Sequence, residues 1–220
     1  MWEQTAINAA RFRVSGWELN VDCRTEGLQM MTRHDGCCDS ASSISVVGES
    51  LPDVAESYVR GDELHLVLPQ TNEGQSGLEI VLMVVQANRD LLIVESTLSL
   101  QTLLLDAYPA IDLNVGGDGA VTTDRVASSL VFARSHRSSP GNEPRTRRPE
   151  TRVLVDERDQ LSIDSSSKNE TGLRFFGEFM EKGVIRKVQP WWIWSGMTLS
   201  ANQLQNAVES LADRPLPLAG

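Results

Sequence analysis

The chain has 220 residues, is 40% hydrophobic and 23% charged, and carries a formal net charge of -10. That composition excludes intrinsic disorder, which combines low hydrophobicity with high charge, and predicts a packed core burying roughly 70% of the extended surface. The negative balance repels phosphate backbones and anionic lipid, so neither nucleic acid nor a membrane is an expected partner.

The opening MWEQTAINAARFRVSG lacks a basic leader followed by an apolar run. Its longest apolar runs, such as IVLMVV at 80–85, are too short to span a bilayer. A soluble, cytoplasmic protein is expected. The three cysteines, Cys23, Cys37 and Cys38, are an odd set unlike a secreted disulfide framework, which predicts reduced thiols.

WELNV at 17–21 sets Trp17, Leu19 and Val21 against Glu18 and Asn20, the two-residue period of a strand with one wet face. A turn at 24–27 then leads into LQMMTR, completing an opening hairpin. HDGCCDSASS reads as polar and flexible, and SISVV as the next strand. In GDELHLVLPQ, Leu64, Leu66 and Leu68 share one face, with Glu63, His65 and Val67 on the other, pointing His65 away from the main core. LEIVLMVVQ is nearly continuous in apolar residues and predicts a strand buried on both faces.

ANRD at 87–90 supplies turn residues, and LLIVESTLSLQT after it alternates Leu92, Val94, Leu98 and Leu100 against Glu95, Thr97, Ser99 and Gln101. LLLDAYPAIDLNV is expected to bend at Pro109 and resume as a short strand. At about 134–152, arginines, serines and prolines replace large apolar residues, which predicts a long flexible loop. RVLVDERDQLSID reads as a hairpin turning around 157–159, with Val153 and Val155 facing Leu161 and Ile163. LRFFGEFMEKG fits helix and strand spacing equally. At about 200–213, Ser200 and Gln203 form a capping box ahead of the stripe Leu204, Ala207, Val208 and Leu211, predicting an amphipathic helix that lies on a sheet. The fold class expected is mainly β: a single domain over 1–220, an antiparallel β-sandwich with a C-terminal amphipathic helix.

VQPWWIWSG holds Trp191, Trp192 and Trp194 on a segment apolar to both sides, which reads as core or half-buried strand. The functional alternative makes Trp192 and Trp194 a stacking surface for sugar rings. Cys23, His34, Cys37 and Cys38 are of metal-ligating type but lack a C-x2-C spacing, and ordinary thiols are the preferred reading, with no metal or cofactor expected. DLNVGGDGAVTTD at 112–124 imitates a calcium loop, yet Gly116 and Thr123 stand where oxygen ligands are needed. Phosphate-loop, G-x-S-x-G and H-E-x-x-H motifs are absent.

His65 with Glu95 is the acid–base pair to inspect first, because both are polar members of apolar strands. Glu178, near Glu181, is a candidate carboxylate for glycoside chemistry. Arg147 and Arg148 in the basic loop are candidate contacts to the protein's own acidic surface or to an acidic partner. Without a convergent catalytic set, the expected function is a non-enzymatic binding or interaction module, through a protein partner or self-association. The alternative is a carbohydrate-binding or carbohydrate-active protein.

Overall fold

The computed structural model describes residues 1–115, 121–126, 129–134, 150–156, 158–159, 161–167, 170–197 and 199–214. The strands, in chain order, begin with β1 (Trp2–Ala6), β2 (Ala9–Val14), β3 (Trp17–Arg24), β4 (Gly27–His34), β5 (Cys37–Val46), β6 (Glu56–Arg60), β7 (Glu63–Leu68), β8 (Gly77–Ala87) and β9 (Leu91–Gln101). They continue as β10 (Ala110–Asn114), β11 (Val121–Val126), β12 (Ser129–Arg134), β13 (Glu150–Asp156), β14 (Leu161–Ser167), β15 (Glu170–Phe176), β16 (Ile185–Val188) and β17 (Trp191–Ser195), ahead of one helix, α1 (Ala201–Ala212).

Two antiparallel sheets face each other, forming a β-sandwich. The first runs β1-β2-β3-β4-β5-β10-β15-β14 and the second β11-β12-β13-β17-β9-β8-β7-β6, with β16 pairing the far half of β9. Period-two alternation builds the interior. In β3, Trp17, Leu19, Val21 and Cys23 are buried while the residues between them are not, and β7 turns Leu64, Leu66 and Leu68 inward. Both sheets close on one hydrophobic cluster that runs from Trp2 and Phe12 to Trp192 and Trp194.

Local chemistry sets the hairpins. Ser15-Gly16 and Asp35-Gly36 both take positive φ (48° and 87°, 47° and 71°), the conformation whose twist matches antiparallel strands. At Gly27, φ is 142° and a Cβ would lie 2.5 Å from the Ile44 carbonyl oxygen, so only glycine lets β4 and β5 approach there. Asn88 Oδ1 accepts from the Asp90 and Leu91 amides at 2.9 and 3.0 Å, shaping the β8–β9 turn that ANRD predicts. Across the layers, Trp17 Nε1 donates to Asn88 O at 2.8 Å and Trp2 Nε1 to Asp62 O at 3.0 Å.

The helix follows the sequence reading closely. Ser200 is its N-cap and the capping box with Gln203 closes in both directions. Ala207, Val208 and Leu211 bury themselves with Leu91, Ile93, Leu154, Trp191 and Ile193, a second cluster on the outer face of the second sheet. No helix among the described residues is long and apolar enough to cross a membrane.

Four readings change. HDGCCDSASS is a hairpin followed by strand β5, because Ser40 and Ser42 are buried polar residues that hide the alternation; Ser40 Oγ meets Thr151 Oγ1 at 2.7 Å. RVLVDERDQLSID does not form the expected hairpin, since β13 lies in the second sheet and β14 in the first. LEIVLMVVQ is fully buried on one face only: Leu78, Ile80 and Leu82 point inward, whereas Val85 is exposed. Of the basic loop at 134–152, Arg134 ends β12, residues 150–152 begin β13, and 135–149 lie outside the described residues. The undecided LRFFG is strand β15, stopped where Phe176 and Gly177 turn to positive φ of 66° and 86°.

Candidate functional site

Strand β17 lies between β13 and β9, and neither of its faces reaches solvent, because one packs into the intersheet core and the other under α1. Trp192 and Trp194 are 0% exposed, their rings parallel at 6.1 Å within the intersheet core. A sugar-stacking surface needs an open indole face, and these two have none, which overturns that use of them. Trp192 Nε1 donates to Ser96 Oγ at 3.0 Å, while among the described residues Trp194 Nε1 has no hydrogen-bond partner. Trp191 takes the opposite face, under α1, and its Nε1 donates to Glu95 Oε2 at 2.7 Å.

That bond occupies one half of the candidate acid–base pair. Gln189 Nε2 reaches the other Glu95 oxygen at 3.3 Å. His65 sits in the same sheet, but β8 lies between, with His65 opposite Val81 and Glu95 opposite Met83. His65 Nε2 meets Glu63 Oε2 at 2.9 Å, and its ring stacks on Tyr58 at 4.5 Å. The sheet does not bring His65 and Glu95 together. Glu178 lies on the exposed 177–184 loop, 3.8 Å from Arg186 Nη1.

Cys23 faces the core, where burial, then the charge of Asp22, pushes its thiol up to about 12. His34 meets the Arg89 carbonyl through Nε2 at 2.7 Å and packs against Trp17 at 4.2 Å. The side chains of Cys37 and Cys38 are outside the described part of the structure, as are Arg147 and Arg148. Among the described residues no group of three His, Cys, Asp or Glu side chains gathers as a metal site would require. In the calcium-like segment, Asp112 is engaged by Arg174 at 2.7 and 2.8 Å, and residues 116–120 are not described.

A different place is concave. The outer face of the second sheet carries a cleft of about 350 Å³ beyond the area covered by α1. Its floor exists because two outward positions are small: Gly77 on β8, and Ser99 on β9, only 8% exposed. Glu79, Ser99 and Lys187 stand in one row across β8, β9 and β16, and Gln101 and Ile185 are paired in the next. Leu68, Pro69 and Gln70 form one wall and Leu103 the other. The Gln70 side chain is held in place, its Oε1 accepting from Leu103 N at 2.7 Å.

Next to the cleft is an apolar rim. Leu103, Leu105 (79% exposed), Tyr108 (64%), Phe179 and Ile185 all remain open to solvent. Two loops present the first four and β16 the last, the loops being joined by Met180 N to Ala107 O at 2.9 Å and Gly183 N to Thr102 O at 2.8 Å. Tyr108 and Phe179 meet edge to face at 5.9 Å. Sequence reasoning missed this region. Its one local signal is LLLD at 103–106, an apolar triplet placed where β9 has ended and turn chemistry begins.

No protein-family model and no curated protein sequence matches the chain. Among solved structures it is similar to a heparan sulfate lyase HepC mutant from Pedobacter heparinus, with a TM-score of 0.53 and 6% sequence identity. The likeness covers 90% of this chain and 37% of that one, and at such identity it is a likeness of fold.

Proposed function

We propose that the chain is a non-enzymatic binding module that takes up its partner at the Gly77–Ser99 cleft and on the rim beside it. The observation that carries this reading is the rim. Leu103, Leu105, Tyr108 and Phe179 on two bonded loops, with Ile185 at the start of β16, leave on the order of 400 Å² of apolar surface in water, if about half of each side chain's area is open. The largest apolar patch on a folded protein covers roughly 300–600 Å² and is often a functional contact surface, which supports that use here.

The chemistry of the cleft supports binding over catalysis. Among the described residues of its lining, Glu79 is the single carboxylate and there is no histidine or cysteine. Glycoside hydrolysis uses two carboxyl groups roughly 5–10 Å apart, so one carboxylate beside an amide and a hydroxyl suits recognition better. A carbohydrate is favoured as the ligand class by two observations: exposed aromatic rings adjoin hydrogen-bonding side chains, and the fold resembles that of a protein named for a carbohydrate substrate.

The test compares the chain with a Leu105→Lys, Phe179→Lys double variant in sedimentation velocity and in affinity electrophoresis through soluble polysaccharides. Both positions are exposed, so circular dichroism should be unchanged, and loss of the Tyr108–Phe179 contact should lower stability by only about 1 kcal/mol. The wild-type chain should associate or be retarded, and the variant should not. A monomer that no polysaccharide retards, or a variant that behaves as the wild type, would overturn this use of the face.

A further inference from the structure

Resting on that binding reading, we infer that the cleft is a subsite for an uncharged sugar unit, with Glu79, Ser99 and Gln101 bonding its hydroxyls and Leu103 leading the rest of the glycan onto the rim. The three polar groups carry the argument. All face the cleft, and none has a hydrogen-bond partner among the described residues. A purely apolar ligand would strip water from a carboxylate, a hydroxyl and an amide and return no bonds, each an unfavourable exchange.

A polyhydroxylated ring reverses that exchange. Carboxylate and amide oxygens accept from ring hydroxyls, while the amide N–H and the serine hydroxyl donate to them. The walls formed by Val67, Pro69 and Ile185 meet the C–H surface that such a ring also presents. At about 350 Å³ the space falls at the small end of ligand sites, which run from roughly 300 to 1,000 Å³, so it holds a short stretch of glycan.

Two other ligand classes fit less well. An extended peptide binds a sheet by adding to an open edge. Here Gly77, Gln101 and Ile185 are already paired in sequence across β8, β9 and β16, so the floor offers side chains alone. A polyanion finds no local excess of positive charge, because Glu79, Glu178 and Glu181 balance Lys182, Arg186 and Lys187, and the chain as a whole repels it at -10.

The test is affinity electrophoresis and calorimetry of the full chain with soluble β-glucan, xyloglucan and galactomannan as uncharged probes, and heparin as the sulfated one. At least one uncharged probe should bind, with an affinity that changes less than twofold between low and 0.5 M salt. Ser99→Phe fills the floor and should remove binding; Glu79→Gln, at an exposed side chain, should weaken it about tenfold and keeps the test readable should Ser99→Phe misfold. Heparin binding that falls steeply with salt would overturn the inference while leaving the binding reading intact. So would association through the rim without retardation by any polysaccharide. Binding of an uncharged probe that neither substitution changes would overturn the placement.

Discussion

Replacing Trp191, Trp192 and Trp194 one at a time by phenylalanine removes the same ring fragment from three positions of one strand, but leaves three different hydrogen-bonding outcomes. All three indoles are buried, so each loses a similar packing term, about 1–2 kcal/mol for the smaller ring and the space it vacates. At Trp191 the lost N–H serves a buried carboxylate at 2.7 Å, leaving Glu95 with Gln189 at 3.3 Å. A hydrogen bond to a charged group adds about 1.5–3 kcal/mol, for a total of roughly 3–5. At Trp192 the partner is the neutral Ser96 hydroxyl at 3.0 Å, which adds about 1 kcal/mol.

Trp194 reverses the sign. Its N–H is buried with no partner among the described residues, so phenylalanine removes an unmet donor and recovers about 1 kcal/mol of the packing loss. The expected order of destabilisation is Trp191→Phe, then Trp192→Phe, then Trp194→Phe, with roughly 3 kcal/mol between the extremes. Guanidinium unfolding followed by far-ultraviolet circular dichroism measures it, since fluorescence would change with the substitutions themselves, and the m-value should stay constant. Losses equal within about 0.5 kcal/mol, or Trp194→Phe as the most damaging, would refute the reasoning.

Two neighbouring aspartates should respond to acid in opposite ways. For Asp156, burial is the largest single influence and raises its carboxyl, but the hydrogen bonds and charge of Arg158 together hold it below its ordinary range. Its contribution to stability is therefore present above about pH 4 and lost as pH falls further, so Asp156→Asn should flatten the acid limb of a stability–pH curve. For Asp159, burial outweighs the charge and hydrogen bond of Arg214 and raises the carboxyl. Its contribution is present below about pH 4 and lost as pH rises through the shifted value, so Asp159→Asn should remove a decline on that side. Melting temperatures from pH 2 to 7 test both, and a same-signed change in slope for the two variants would count against the assignment. Cys23, with its thiol near 12, should resist alkylation at pH 8 in the folded chain and react fully once unfolded, as mass-spectrometric peptide mapping would reveal. Ser200→Ala should cost about 1 kcal/mol and speed amide exchange in the first turn of α1; unchanged exchange would mean that the cap contributes nothing there.

Much of the framework is local and therefore readable. Leu64, Leu66 and Leu68 declare their common face by spacing alone, Asn88 announces its turn, and Ser200 with Gln203 marks a helix start whose two bonds need only four residues. The failures share a cause. Ser40 and Ser42 are buried in a strand that looked like a loop, and Ser40 meets Thr151 from the other sheet, a partner more than a hundred residues away. Val153 and Leu161 looked like partners because they are near in sequence, yet the chain between them crosses from one layer to the other.

The candidate site illustrates the same limit. Leu103, Phe179 and Ile185 carry no motif, and Glu79, Ser99 and Lys187 come from three separate segments; β-pairing alone sets them in a row. The hollow is defined by what Gly77 and Ser99 do not fill, a property of neighbours rather than of either residue.

From its amino acids alone this chain dictates alternating strands, the Asn88 turn between β8 and β9, and an amphipathic final helix, since each arises from atoms a few residues apart. Only tertiary structure decided that Trp191 lies under that helix while Trp192 and Trp194 face the sandwich interior, because β17 finds its neighbours β9 and β13 at distant points of the chain. Burial is a relation between segments, and the side of a strand that meets water is chosen by whatever packs against the other.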